Sequence, residues 1–437
     1  MYYLDLFLFP IYVLFPILII FYVAVKYIKD PVEKKFFYQG FMLKIVGGLS
    51  GALIYTIYYK SGDTTYYFSN GSALVEYFSL YPENIVDFLF RNDLSSVNDP
   101  SLIPFKLSLF YCFSKSTYLI SKIGMFLSLF TFGSFYIASI VSSYISFWGS
   151  WKFYKFIIGI YPDLKKSLGY AIFFVPSVIF WGSGIFKDTY TLLALYLLII
   201  SVVSIFGLKK INLSLILYFI ISFYTLVTIR SFYILAVMPF ILIWIFSFHF
   251  RKIKNNTLKF LMFPFFIISV GVIITMSLNI TTKELEELST ENLQSKVQGF
   301  QTWHTSLKGS AYSIGTIEFT PLGIISKIPA AINVTFFRPY IWEATKPIIF
   351  LSFLQSFFYL CFTFYTMYKM KFIFFFIEFF KSPDVLFFLG FSLVFAFIAG
   401  FTSYNFGALD RYKIPCLSPY LIGLILLRAN YNKKYLK

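Results

Sequence analysis

The sequence predicts an all-α fold: a polytopic transmembrane helix bundle of about 11 spans, N-terminus outside, C-terminus inside, with two long extracytoplasmic loops. Three observations lead there. Hydrophobic residues make up 58% of the 437 and charged residues 13%, where a soluble domain holds roughly 45–50% and about 25%. Unbroken apolar runs such as 195–207 and 260–278 suit helices of about 20 residues, not the alternating strands of a barrel. Lys and Arg concentrate in alternate short loops, as the positive-inside rule requires. With a mean hydropathy of +0.75, a soluble enzyme, a secreted disulfide scaffold and a disordered chain are excluded. The 60 Phe and 35 Tyr fit a lipid-facing aromatic surface.

The first span, 3–25, has no basic leader and no small-residue cleavage site, so it reads as a spanning helix and not a removed signal. The second, 39–59, follows the basic segment KYIKDPVEKK at 26–35. Further spans are placed at 123–147, 168–185, 189–206, 212–229, 231–248, 258–279, 347–367, 384–402 and 413–427, all in one integral membrane domain, 1–437. The outer loops are then 60–122 and 280–346. In this orientation the inner loops carry 21 Lys/Arg against 5 acids, whereas the outer side balances 15 basic against 15 acidic residues. Lys44, inside the second span, is expected to snorkel inward. In the second outer loop, 282–301 places Leu285, Leu288, Leu293 and Val297 on one helical face, a candidate membrane-surface lid.

The inner loops are too short for a nucleotide-binding domain, and no Walker, GxGxxG or HExxH motif occurs. Cys112, Cys361 and Cys416 lie far apart, so neither a metal knuckle nor a disulfide framework is expected. No metal or cofactor is expected. Chemistry is expected on the outer face, where five clusters fall. SGDTTYYFSNG (61–71) sets Asp63 where the chain leaves the bilayer, a candidate general base beside Tyr66 and Tyr67 as sugar-stacking rings. The plain alternative is a capped loop helix in an aromatic belt. PSVIFWGSGIFKDT (176–189) puts Trp181, Lys187 and Asp188 in a short outer turn. Arg230 has no acidic residue within 20 positions, so it snorkels, pairs with a distant carboxylate or binds an anion. FFRPYIWEATKP (336–347) brings Arg338, Trp342 and Glu343, with His304 upstream in FQTWHTSLKGSAYSIG. YNFGALDRYKIP (404–415) offers Arg411 and Lys413 for phosphate oxygens, or for ordinary headgroup anchoring.

A carboxylate and several cations on one face suit a polyprenyl-diphosphate sugar donor, whose leaving group gains negative charge. Asp63 is the expected catalytic base. Arg230, Arg411, Lys413, Lys187 and Arg338 are the expected donor-phosphate ligands. Tyr66, Tyr67, Trp181, Asp188, His304, Trp342 and Glu343 are expected at the sugar and acceptor.

An Asp in the first large outer loop, followed by short outer turns bearing Arg or Lys, resembles the GT-C-type glycosyltransferases that use lipid-linked sugars. The eleven-span plan also resembles the O-antigen and capsule polymerases. The segments FWGSGIFKD, FFRPYIWEA and NFGALDRYKIP look like those of bacterial envelope-polysaccharide membrane proteins. The resemblance implies a bacterial inner-membrane enzyme. Its partners would be membrane lipid, a polyprenyl-linked saccharide and polysaccharide-assembly proteins, with no nucleic acid. The alternative is a transporter or flippase for a lipid-linked or anionic glycan. Against it, no internal repeat is seen and the span interiors are nearly free of charge.

Overall fold

The structure, a computed structural model, describes residues 7–97, 99–250, 299, 310–318 and 320–435. The predicted span 258–279, the candidate lid 282–301 apart from Gly299, and His304 lie outside the described residues. The chain forms two compact units, Met1–Leu197 with Ile220–Arg230, and Leu198–Phe219 with Ser231–Lys437. Among the described residues, eight helices are long and apolar enough to cross a membrane, or nine if one bent pair is a single span. The protein is thus a polytopic helical membrane protein.

The first unit opens with α1 (Phe7–Tyr27) and α2 (Pro31–Tyr58). Asp30 starts α2 by accepting from the Val32 and Glu33 amides at 2.8 and 3.1 Å, and Pro31 supplies a preset first turn. After α2 come α3 (Asp63–Leu80) and the short α4 (Ile85–Phe90). Next are α5 (Lys115–Phe130) and α6 (Phe135–Ile160). The predicted span 123–147 is therefore corrected: the chain breaks at 131–134, where Phe132 and Gly133 adopt φ of 51° and 77°. α5 and α6 meet at a bend of 112°, so they do not form one straight span. α5 packs on α3 through a glycine crossing. A Cβ on Gly71 would sit 2.4 Å from the Gly124 carbonyl carbon, so these two backbones touch directly.

The predicted span 168–185 is also corrected. It is two short helices, α7 (Lys165–Phe173) and α8 (Pro176–Trp181). Pro176 forces Val175 into extended geometry, which ends α7. Then follow the first part of α9 (Lys187–Gly207) and the last part of α10 (Leu213–Arg230), whose remaining residues, within Leu198–Phe219, belong to the second unit. At the Asp30 end, Lys165 bonds Asp30 at 2.6 Å and Glu33 at 3.1 Å, and Lys155 bonds Glu33. These pairs tie the start of α2 to the end of α6 and the start of α7. The Lys165 hydrogen bond holds the Asp30 carboxyl below its ordinary value, and Asp30 in turn raises the Lys165 ammonium.

The second unit contains α11 (Phe232–His249). It continues with α12 (Pro321–Ser326) and α13 (Ile328–Phe337). Then come α14 (Pro347–Met370), α15 (Phe372–Lys381) and α16 (Pro383–Ser403). The unit closes with α17 (Phe406–Tyr412) and α18 (Ile414–Tyr435). Its core is aromatic: Trp244 stacks on Phe387 at 4.5 Å, and Phe336 on Tyr420 at 4.1 Å. Residues 310–318 and 320–346 fall in the predicted outer loop, yet part of this stretch belongs to the core. Thr335 of α13 donates to the Ala396 carbonyl of α16 at 2.7 Å, and Tyr312 is buried with Phe401 and Tyr404.

Candidate functional site

Asp63 is positioned by the turn that ends α2. Gly62 has φ of 150°, and a Cβ there would lie 2.4 Å from the Tyr55 ring. Only glycine fits, and the helix cap at Gly62 leaves Asp63 as the first residue of α3. A carboxylate there is favoured by the helix dipole. The helix start is closed by Gly62 and Thr65: the Gly62 amide donates to Thr65 Oγ1 at 3.1 Å, and Thr65 Oγ1 donates to the Gly62 carbonyl at 2.8 Å. The Asp63 side chain accepts from the Tyr111 hydroxyl at 3.1 Å. Tyr111 is itself held by the buried Asn70, whose Oδ1 accepts its amide at 3.0 Å.

The Tyr111 ring lies 5.6 Å from Tyr66 and 5.4 Å from Tyr67. Tyr66 is exposed. Tyr67 is not a stacking platform: it is 2% exposed and packs with Phe68, Ile120 and Ile185. Lys187 joins the same group, its ammonium 5.7 Å from the Tyr67 ring centroid and donating to Ser116 at 2.9 Å. A cation that opens a helix, as Lys187 opens α9, is opposed by the helix dipole, so its position is not a helix-stabilising one.

Asp188, the next residue, is completely buried and bonds Arg230 at 2.9 Å, the arginine side chain being 14% exposed. Of the roles open to Arg230, the structure gives pairing with a distant carboxylate, 42 positions away. Asp188, expected at the sugar, is committed to that pair. Trp181 is half-buried against Tyr55 and Phe186, and its carbonyl accepts from Thr189 at 3.3 Å.

Behind this end lies a feature the sequence expectation missed. Lys44 does not snorkel. It is 2% exposed, midway along α2, and donates to the carbonyls of Val178 at 3.2 Å and Gly182 at 2.8 Å. Ser146 also donates to the Gly182 carbonyl, and Ser142 to that of Gly184 at 2.6 Å. The Gly184 amide in turn donates to Ser143 at 3.3 Å, so residues 182–186 are non-helical, buried backbone whose polar groups are met by one lysine and three serines, as irregular backbone within a bilayer must be.

In the second unit Arg338 is the centre. It bonds Glu343 with Nε at 3.1 Å to each carboxylate oxygen and donates again from Nη2. It also lies 6.0, 5.9 and 5.6 Å from the rings of Tyr312, Tyr340 and Phe406. Burial pushes the Glu343 carboxyl up, but Arg338 and the Tyr340 amide outweigh it and hold it below its usual value. Arg338 and Glu343, expected to hold phosphate and sugar separately, are each other's partners. Trp342 is 75% exposed beside Tyr340. Lys413 is 1% exposed and paired with Asp410 at 2.7 Å, so a role at the outer interface is corrected to an internal pair. Arg411 is half-buried in α17.

The first unit thus brings together Asp63, Tyr66, Lys187, Asp188, Arg230 and, through Tyr55, Trp181. Tyr111, Asn70 and Ser116 were missed. Tyr111 lies in the segment between α4 and α5, Asn70 within α3 and Ser116 in the first turn of α5, and no local pattern joins them. Comparison with known proteins returns no matching family model, no matching curated protein and no matching solved structure.

Proposed function

We propose that the Asp63 end of the first unit is an extracytoplasmic glycosyl-transfer site, of a transferase or an oligosaccharide-repeat polymerase, that uses a polyprenyl-diphosphate-linked sugar. The observation that carries this is the Asp63–Tyr111–Tyr67–Lys187 chain: a half-exposed carboxylate and a cation gathered around two tyrosine rings at the end of a spanning helix. The acceptor hydroxyl oxygen attacks the anomeric carbon while the bond from that carbon to the diphosphate oxygen breaks. The electron pair leaves with the lipid diphosphate, where Lys187 stabilises the new charge. Asp63 takes the hydroxyl proton, and the Tyr111 hydrogen bond orients it. The bacterial inner membrane and polysaccharide-assembly partners belong to this proposal. The test is glycan chain length in cells expressing Asp63→Asn at equal protein level. Normal polymer from that variant makes this carboxylate a helix-start residue only.

A second reading, a transporter or flippase for a lipid-linked or anionic glycan, is favoured by one observation. Transporters build sites on interrupted helices, and the buried Lys44 against the end of α8 and the α8–α9 break is such an element. Proteoliposomes separate the two. A transporter moves labelled lipid-linked saccharide without an acceptor and without Asp63.

A further inference from the structure

The Asp30 end of the first unit carries a feature that sugar transfer does not use. Between α1, α2 and α6 runs a groove of about 290 Å³. Its walls are apolar: Ile19 and Ile20 of α1, Phe37 and Phe41 of α2, Trp148 and Trp151 of α6. Tyr144, which also lines it, donates to the Tyr12 carbonyl. Past Ile20 along α1 and next to Trp151 on α6 stand two exposed lysines, Lys26 and Lys152. Lys152 lies 5.9 Å from the Trp148 ring, and Lys26 lies 5.2 and 5.3 Å from the rings of Tyr22 and Tyr27. Lys155 and Lys165 are committed to Glu33 and Asp30. Lys26 and Lys152 have no carboxylate partner among the described residues.

An apolar groove between spanning helices is bathed in hydrocarbon, so a lipid chain fills it. Its size lies at the bottom of the range of about 300–1,000 Å³ for small-molecule sites, enough for one chain and not for a whole lipid. The two lysines then select the headgroup, because a phosphate without a compensating ammonium meets them as an unopposed anion. We propose that this groove binds one acyl chain of an anionic phospholipid, with its phosphate against Lys152 and Lys26. Under the positive-inside orientation this is the cytoplasmic leaflet, which holds anionic lipid. The proposal stands whatever reaction occurs at Asp63.

The test uses the purified full chain in mixed micelles, titrated with phosphatidylglycerol or phosphatidylcholine carrying brominated acyl chains, with tryptophan quenching as the readout. Saturable quenching should reach its midpoint at about fivefold lower phosphatidylglycerol than phosphatidylcholine for each lysine engaged. The double variant Lys26→Glu/Lys152→Glu should lose that preference and keep chain-dependent quenching. Trp148→Phe/Trp151→Phe should lose the saturable quench itself. Inorganic phosphate should not compete. Equal midpoints for the two lipids, a preference that survives the double charge reversal, or a saturable quench that persists without Trp148 and Trp151 would each overturn the proposal. So would competition by inorganic phosphate.

Discussion

Replacing Asp63 by Asn keeps the side chain's shape and an oxygen for the Tyr111 hydroxyl, but removes the base. Activity should fall by about 10²–10⁴-fold, the usual loss of acid–base help, measured as polymer made per cell at equal expression. Tyr111→Phe should lower turnover less, since it loosens the carboxylate without removing it. Arg230→Ala has a different outcome from the one its sequence position suggests. Removing one member of a buried ion pair costs about 3–5 kcal/mol because the other charge stays behind. Arg230→Ala should therefore lower the melting temperature as well as activity, and Asp188→Asn in the same chain should return part of that loss. Glu343 gives a pH signature. A carboxyl held low in the fold contributes stability above its unfolded value, and that contribution is lost as pH falls through the folded value. The gap in melting temperature between wild type and Glu343→Gln should hold steady around neutrality and shrink below pH 4.5. Asp63 and Lys187 stood out in the sequence because each interrupts an apolar pattern. The partner of Arg230 was beyond it, because pairing across 42 positions leaves no local trace, whereas Glu343 stands only five residues from Arg338, and the sequence showed both without showing that they pair.

Eight helices were legible as apolar runs because lipid-facing and buried faces are both apolar, so hydropathy alone marks their extent. The second span, read at 39–59, begins at Pro31 because the Asp30 cap and the paired Glu33 let charged residues join the helix. Hydropathy also runs straight through a break, which is why 123–147 and 168–185 read as spans. Pro176 carried the signal for the second break. The 131–134 bend carried only Gly133. At the next break, between α8 and α9, Lys44 donates to two carbonyls, of Val178 in the last turn of α8 and of Gly182 just after it. Lys44→Met should remove one of two donors from each, leaving the Val178 carbonyl with the Gly182 amide and the Gly182 carbonyl with Ser146, at about 1.5–3 kcal/mol for a lost hydrogen bond to a charged group. The measurement is thiol labelling of Ser183→Cys, a buried position. Labelling should be slow in the otherwise native chain and faster with Lys44→Met. Equal rates would mean the break is held by the serines alone.

For the whole molecule, the extracytoplasmic reading of Asp63 depends on the orientation expected from the charge of the loops. A membrane-impermeant maleimide should react in intact cells with Ser96→Cys and not with Lys34→Cys until the membrane is opened; the reverse result moves the Asp63 site to the cytoplasm. The buried lysine also bears on how the chain is assembled. A lysine at the centre of an isolated spanning helix raises its insertion free energy by about 2.5–3.5 kcal/mol. The acceptors of Lys44 lie 134 and 138 residues downstream, and at about 5–20 residues per second they are synthesised roughly ten seconds later. α2 thus emerges from the ribosome with a cation whose acceptors have not yet been made. It waits at the translocon, or shifted toward the membrane surface, until the Pro176 segment arrives. A helix made second in the chain is therefore among the last to reach its final depth.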